Sequence, residues 1–194
     1  MKIAITGNIG SGKSTFSRFV IEAGYPVLFA DDISKYILES DEKVIELIIK
    51  EFGKQSYINQ KPNKDFLAKE VFNDLGKLHK LESILHPRVF NTIEKSTKEL
   101  LKKHKIVFTE AALIYEADME KMFDYVVLIT SERELRLKRK ISAGLTEDDF
   151  LKREHNQYPE VEKMKRADFI FSNNSTIEDL KSKFNFLCIT LGLN

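Results

Sequence analysis

Hydrophobic and polar positions divide the chain into segments of two kinds. After Met1 and Lys2 comes the apolar run Ile3, Ala4, Ile5 and Thr6, which stops at Gly7. A short run of this kind, partly β-branched and closed by glycine, predicts a strand buried in a parallel sheet. Over residues 13–22 the apolar positions Phe16, Phe19, Val20 and Ile21 take helical spacing. Gly24 predicts the end of that helix, and Pro26 bars its resumption. "PVLFA" predicts a second strand ending at Asp31. Strand, glycine-rich turn, helix and strand together make one βαβ unit.

From Ile33 to about Lys103 the period is almost wholly helical. "VIELIIKEF" is one helix closed by Gly53, "GKQSYINQKPNK" is loop-like, and "DFLAKEVFN" is a further helix. A long helical run from Leu75 to Leu101 is expected to break near Pro87. Several helices in succession with no strand between them predict a helical insertion on one side of the sheet. Strand-like runs return at "KIVFTE" (105–110) and "YVVLIT" (125–130). "SERELRLKRKI" is a basic helix broken by Gly144. Thr146 is placed to cap the next helix, "TEDDFLKREHNQ". Pro159 opens a short segment, "DFIFSN" (168–173) is the last strand, and the run from Thr176 is a closing helix. The expected fold class is α/β, a parallel central sheet flanked by helices. One domain is expected over 1–194, with a core of about 1–32, 104–131 and 166–194, a helical insertion of about 33–103 and a lid of about 132–165.

Composition narrows the function classes. With 31 basic and 30 acidic residues the net charge is +1, without the basic excess of a nucleic-acid binder. The lone Cys188 allows no intrachain disulfide and reads as a small core residue. The first apolar run is too short for a signal peptide, and no stretch nears the roughly 20 apolar residues of a membrane span. A cytoplasmic protein is expected, with no membrane partner. The sequence leaves oligomeric state open, and a monomer is consistent with it.

The chemistry concentrates in "GNIGSGKST", residues 7–15, which fits G-x-x-x-x-G-K-[ST]. Glycines let successive backbone N–H groups curl inward around phosphate oxygens, and the helix that follows adds its positive end. Lys13 can reach the β- and γ-phosphates of ATP, and the Ser14 hydroxyl is placed to bind Mg²⁺. Three classes of machine share such a loop: a small-molecule kinase, a GTPase switch or ATPase motor, and a regulator without turnover. A GTPase needs a guanine-reading N-K-x-D after a late strand, whereas the one Asn-Lys-Asp, Asn63 to Asp65, falls in the helical insertion. Glu110 is a candidate acid for a motor. The segment 132–157 carries Arg133, Arg136, Lys138, Arg139, Lys140 and Arg153, as expected of a basic lid closing over a migrating phosphoryl group. Asp31 and Asp32, after the second strand, are candidates to orient or deprotonate an acceptor hydroxyl.

Taken together these residues resemble the dephospho-coenzyme A kinase family nearly end to end. Its opening motif is present as Gly7, Asn8, Ile9, Gly10, Ser11, Gly12, Lys13, Ser14 and Thr15, with Asn8 where many relatives have glycine. The resemblance assigns the base role to Asp31 within "FADD", where Phe29 replaces the family's first acid. "FLAKEVFND" (66–74) is similar to the stretch before the substrate helices, with Lys64 as its basic residue. "LESILHPRV" carries the hallmark pair His86 and Pro87, which the resemblance places near the acceptor. The family's P-L-L-x-E is altered to Ala112, Leu113, Ile114, Tyr115 and Glu116, and its R-x-x-x-Q fits Arg153 to Gln157. "ADFIFSNN" (167–174) fits its A-D-x-x-x-x-N. The resemblance implies transfer of a phosphoryl group from ATP to the ribose 3′-hydroxyl of dephospho-coenzyme A, the last step of coenzyme A biosynthesis. Lys13, Asp31, Arg136 and Arg153 would be catalytic, and Asp31, Lys64, His86, Pro87 and Glu116 would contact the acceptor. A nucleoside monophosphate kinase is the nearest rival among enzymes.

Overall fold

The computed structural model describes residues 1–72 and 74–193, with Phe72 described by its backbone alone. Asn73, in the family-like stretch 66–74, and Asn194, in the expected core, lie outside the described residues. The chain divides into two compact units, Met1–Leu28 with Thr97–Asn194, and Phe29–Ser96.

The first unit is built on a five-stranded sheet. Strand β1 (Lys2–Thr6) leads into helix α1 (Lys13–Glu22), and β2 (Val27–Phe29) follows. The sheet is completed after the helices of the second unit by β5 (Val107–Glu110), β6 (Tyr125–Thr130) and β7 (Phe169–Ser172), in the order β2-β5-β1-β6-β7. β1 runs parallel to both β5 and β6, with Ile5 level with Glu110 and Val127, and β6 runs parallel to β7. Parallel pairing brings the carboxyl ends of these strands to one edge, where ligand crevices of open α/β sheets lie. The loop after Thr6, Glu110 and the segment after Thr130 therefore share that edge.

Burial explains the short apolar runs. Ile3, Ile5, Phe108, Val127 and Ile129 have no exposed surface and form one core with Phe16, Phe171, Phe184 and Leu187. Phe16 of α1 stacks on Phe171 (centroids 5.9 Å) and meets Phe184 of the closing helix α9 (Ile177–Thr190) edge-on at 5.7 Å. Each such ring pair adds about 0.5–1.5 kcal/mol beyond its buried area. α1 stops as expected: Gly24 is left-handed (φ 85°), its N–H donates to the Ile21 carbonyl, and Tyr25 N–H returns to Val20.

The second unit holds α2 (Ala30–Ser40), α3 (Glu42–Phe52), α4 (Lys64–Phe72) and α5 (Leu75–Leu101), whose residues from Thr97 on belong to the first unit. Ala30, Ile37, Val44, Ile48, Leu67, Val71, Val89 and Ile93 form its buried apolar set. Asp41 starts α3 by accepting from the backbone N–H groups of Lys43 (3.0 Å) and Val44 (3.2 Å).

Three expectations need correction. The second strand ends at Phe29, and Asp31 and Asp32 stand in the first turn of α2. There their charges meet the positive end of the helix, a better place for two acids than a strand end. The expected loop contains a hairpin, β3 (Tyr57–Ile58) antiparallel to β4 (Lys61–Pro62). Asn59 and Gln60 take φ of 50° and 62°, the left-handed pair that a two-residue hairpin requires. Finally, α5 runs unbroken through Pro87 for 27 residues. Proline forfeits one backbone bond there, but burial of Val89 and Ile93 in the turns that follow holds the helix together.

Candidate active site

The loop between β1 and α1 is held open by its backbone. Gly7 has φ 149°, and a Cβ there would collide with the Ile129 carbonyl oxygen of the neighbouring strand. Gly12 caps α1 in the left-handed region (φ 106°), and its Cβ would strike the Asn173 carboxamide. Neither position tolerates a side chain.

Five consecutive carbonyls of this loop are engaged. Lys13 Nζ donates to Gly7 O (2.8 Å) and Asn8 O (3.4 Å), and Asn8 O also accepts from Ser11 N–H (3.0 Å). Ile9 O accepts from Arg136 (3.3 Å), Gly10 O from Arg139 (3.4 Å), and Ser11 O from Asn173 Nδ2 (2.8 Å). A planar peptide points its C=O and the next residue's N–H in opposite directions. Carbonyls drawn toward the two arginines and the asparagine therefore turn the N–H groups of Gly10 and Gly12 the other way, into the arrangement that binds anions.

Arg136, expected as a mobile lid residue, is placed differently. It lies on α6 (Arg133–Ser142), is only 6% exposed, and bonds Ser131 O (3.0 Å) and Ile9 O while pairing with Glu154 at 2.8 Å. A buried guanidinium holds its place only when its donors are satisfied, and these three partners fix it against the loop. Arg139 is similarly committed, to Gly10 O, Ser131 Oγ (3.1 Å) and Asn173 O (2.8 Å). Arg153, by contrast, is exposed on α7 (Glu147–His155), with no partner among the described residues. Thr146 caps α7 as expected, accepting from Asp149 N–H at 3.1 Å.

Ser14 Oγ donates to Glu110 Oε1 at 3.1 Å, and Glu110 Oε2 is buried with no hydrogen-bond partner among the described residues. A hydroxyl beside a carboxylate with an unused oxygen is the hard donor set that Mg²⁺ takes. Glu110 entered the sequence reading only as a motor's acid. Its position at a strand end was visible, but its pairing with Ser14 was not.

Glu116 is nearly buried and ties down the chain at Tyr158 and Lys163. Its Oε1 pairs with Lys163 Nζ (2.8 Å) and accepts from Tyr158 N–H (2.7 Å), while Oε2 has no partner. Lys163, on α8 (Glu160–Met164), has no exposed surface and also donates to Ala112 O at 3.2 Å. Burial pushes its ammonium below the ordinary lysine value, with Glu116 opposing the shift. Burial likewise raises the Glu160 carboxyl, against the Ser131 N–H and Arg136. No feature of the sequence singled out Lys163 or Glu154.

The remaining expected residues belong to the second unit. Asp31 and Asp32 are both exposed, and Asp32 is paired with Lys35 at 3.0 Å. Lys64 pairs with Glu39 at 3.3 Å on the surface. His86 is half-buried and stacks on Phe90 (5.6 Å, 18°), while Pro87 is exposed. Burial holds the His86 imidazole below its ordinary value, with Glu82 pulling the other way, so the ring is neutral at pH 7. The Asn-Lys-Asp stretch serves as a helix start, with Asn63 Oδ1 accepting from Phe66 N–H at 3.2 Å.

A parallel sheet carrying a glycine-rich phosphate loop, a lysine and a hydroxyl at its carboxyl edge defines a P-loop nucleotide-binding fold. Comparison with known proteins narrows the class. The family model described as dephospho-CoA kinase matches residues 1–179. The dephospho-CoA kinase of Aquifex aeolicus is 37% identical over 180 residues, covering 92% of this chain and 91% of that one. A solved structure from Thermus thermophilus superposes with a TM-score of 0.84 at 31% identity, covering 100% and 98% of the two chains. That of the dephospho-CoA kinase from Campylobacter jejuni gives 0.73 at 28%, covering 99% of each. The chain belongs to the dephospho-CoA kinase family.

Proposed function

We infer that this chain transfers the γ-phosphoryl group of ATP to the ribose 3′-hydroxyl of dephospho-coenzyme A, giving coenzyme A and ADP in the last step of coenzyme A biosynthesis. The observation that carries the reading is a braced phosphate loop in a chain that matches this family over nearly its whole length.

In the proposed mechanism, Lys13 and the unengaged amides of the loop Gly7 to Thr15, those of Gly10 and Gly12 among them, hold the donor phosphates. Ser14 and Glu110 would hold Mg²⁺, which offsets phosphate charge when bound. The Asp31 carboxylate accepts the proton of the 3′-hydroxyl. The 3′-oxygen forms a bond to the γ-phosphorus as the bond to the β–γ bridging oxygen breaks, and ADP leaves. Arg153, exposed and unpaired among the described residues, closes over the transferring group and excludes water, a competing acceptor. Arg136 acts through the loop, holding the Ile9 carbonyl back so that its neighbours' amides stay aimed. Lys64, His86 and Pro87 help to hold the acceptor's adenosine and pantetheine arm. Glu116 contributes by fixing the segment behind the lid.

An acceptor screen with ATP and Mg²⁺ tests the reading. Dephospho-coenzyme A is expected to be phosphorylated at least about a hundredfold faster than adenosine, nucleoside monophosphates or shikimate, the margin available to a site with dedicated hydrogen bonds. A nucleoside monophosphate or shikimate as the better acceptor would overturn it.

A further inference from the structure

One residue of the family-like R-x-x-x-Q stretch touches the phosphate loop directly. The backbone N–H of Ile9 donates to Gln157 Oε1 at 2.8 Å. A backbone N–H can only donate, so this contact fixes the orientation of the carboxamide: the oxygen is on Ile9, and the two N–H donors of Nε2 are left over. Gln157 also lines a cavity of about 390 Å³ together with Asn8, Arg133, Arg136, Glu154 and Glu160.

Several of the other donors around that cavity, which His155 and Tyr158 also line, are committed. Arg136 is spent on Ser131 O, Ile9 O and Glu154, and Arg133 Nε pairs with Glu154 at 2.9 Å. Asn8 Nδ2 reaches Tyr158 O at 3.4 Å. Asn8 Oδ1 is buried without a partner among the described residues. Gln157 touches the loop backbone itself, and its Nε2 is a neutral donor with no partner among the described residues.

The position of Lys13 shows which phosphate lies nearest. In loops of this type the lysine ammonium serves the β- and γ-phosphates. Here it sits on the carbonyls of Gly7 and Asn8, at the start of the loop and next in sequence to Ile9. We propose that Gln157 is a phosphate-contacting residue, anchored through its oxygen to Ile9 N–H and donating from Nε2 to an oxygen of the terminal phosphoryl group of the nucleotide. The proposal deepens the reading of this chain as an ATP-dependent kinase and rests on it.

The test is nucleotide binding, which needs no acceptor and so separates this proposal from the choice of acceptor. Gln157→Met removes both the anchor and the donors. Gln157→Glu keeps an oxygen for Ile9 N–H and replaces the donors with a negative charge. Affinity for a non-hydrolysable ATP analogue and for ADP is measured by calorimetry with Mg²⁺, beside the thermal midpoint of each variant. The expected result is a loss of about tenfold for the triphosphate analogue in Gln157→Met and a larger loss in Gln157→Glu, with ADP binding within about twofold of wild type in both. Equal losses for ADP and the triphosphate would reduce Gln157 to a support of the loop. Wild-type affinities in both variants, or a loss in Gln157→Glu alone, would equally overturn the proposal.

Discussion

The two units hold their charged side chains in opposite ways. In the first, the cations that meet the phosphate loop are buried or partly buried and multiply bonded: Arg136 is 6% exposed with three partners, and Arg139 bonds three oxygens. In the second, Lys64 pairs with Glu39 with both side chains at least half exposed, and Arg88 stands 3.8 Å from Asp41. An exposed pair contributes roughly 0–1 kcal/mol, whereas removing one partner of a buried pair costs about 3–5 kcal/mol. The difference follows the chemistry. A phosphate loop works when its amides are already aimed, so that little reorganisation accompanies the reaction. The acceptor surface proposed for the second unit, which would admit and release a long molecule, gains from side chains that are free to move.

Substitutions can break that contrast, and the largest effect is expected at the loop itself. Lys13→Ala should lower kcat/KM about a thousandfold, by loss of a cation at the developing charge, with the circular dichroism spectrum unchanged. Next, Arg136→Met should cost about 3 kcal/mol in a denaturant titration because it leaves Glu154 Oε1 and the Ser131 and Ile9 carbonyls without the guanidinium they share. Arg88→Met, the matching change in the second unit, should cost under about 1 kcal/mol. Asp31→Asn should reduce kcat about a hundredfold while leaving ATP affinity unchanged by calorimetry, and Asp32→Asn should do neither. An inverted result for the two acids would transfer the base role to Asp32. Arg153→Ala should slow single-turnover phosphoryl transfer about tenfold without changing the thermal midpoint. The smallest stability effect is expected for Lys64→Ala, about 0.5 kcal/mol or less, with its main consequence a higher KM for dephospho-coenzyme A.

Legibility in the sequence followed the distance between interacting residues. The phosphate loop, the Gly24 stop, the Asp41 and Thr146 caps and the apolar strands are local patterns, and all but the Asp41 cap could be read from neighbours in the chain. Gly7 to Ser14 announced phosphate binding because the motif is contiguous. The braces behind the loop are not local: Arg136 lies 127 residues from Ile9, Asn173 lies 162 from Ser11, and Glu110 lies 96 from Ser14. No periodicity encodes such pairings. A basic helix spelled "RELRLKRK" reads the same whether its arginines face solvent or a buried loop. Lys163 was invisible for the same reason, since a lysine's burial depends on a counter-charge that only the fold brings near. Pro87 and the Asn59-Gln60 hairpin were missed differently. In the first, packing overrode a local preference, and in the second a two-residue turn lacked the glycine that usually marks it.

The central claim is that the loop delivers phosphate to one oxygen of one acceptor. Incubating the protein with ATP, Mg²⁺ and dephospho-coenzyme A, and locating the new ester by ³¹P and ¹H NMR, tests it directly. The expected product carries a phosphomonoester on the ribose 3′-oxygen and forms in equal amount with ADP. Release of inorganic phosphate with the acceptor untouched, or an ester at any other position, would contradict the account.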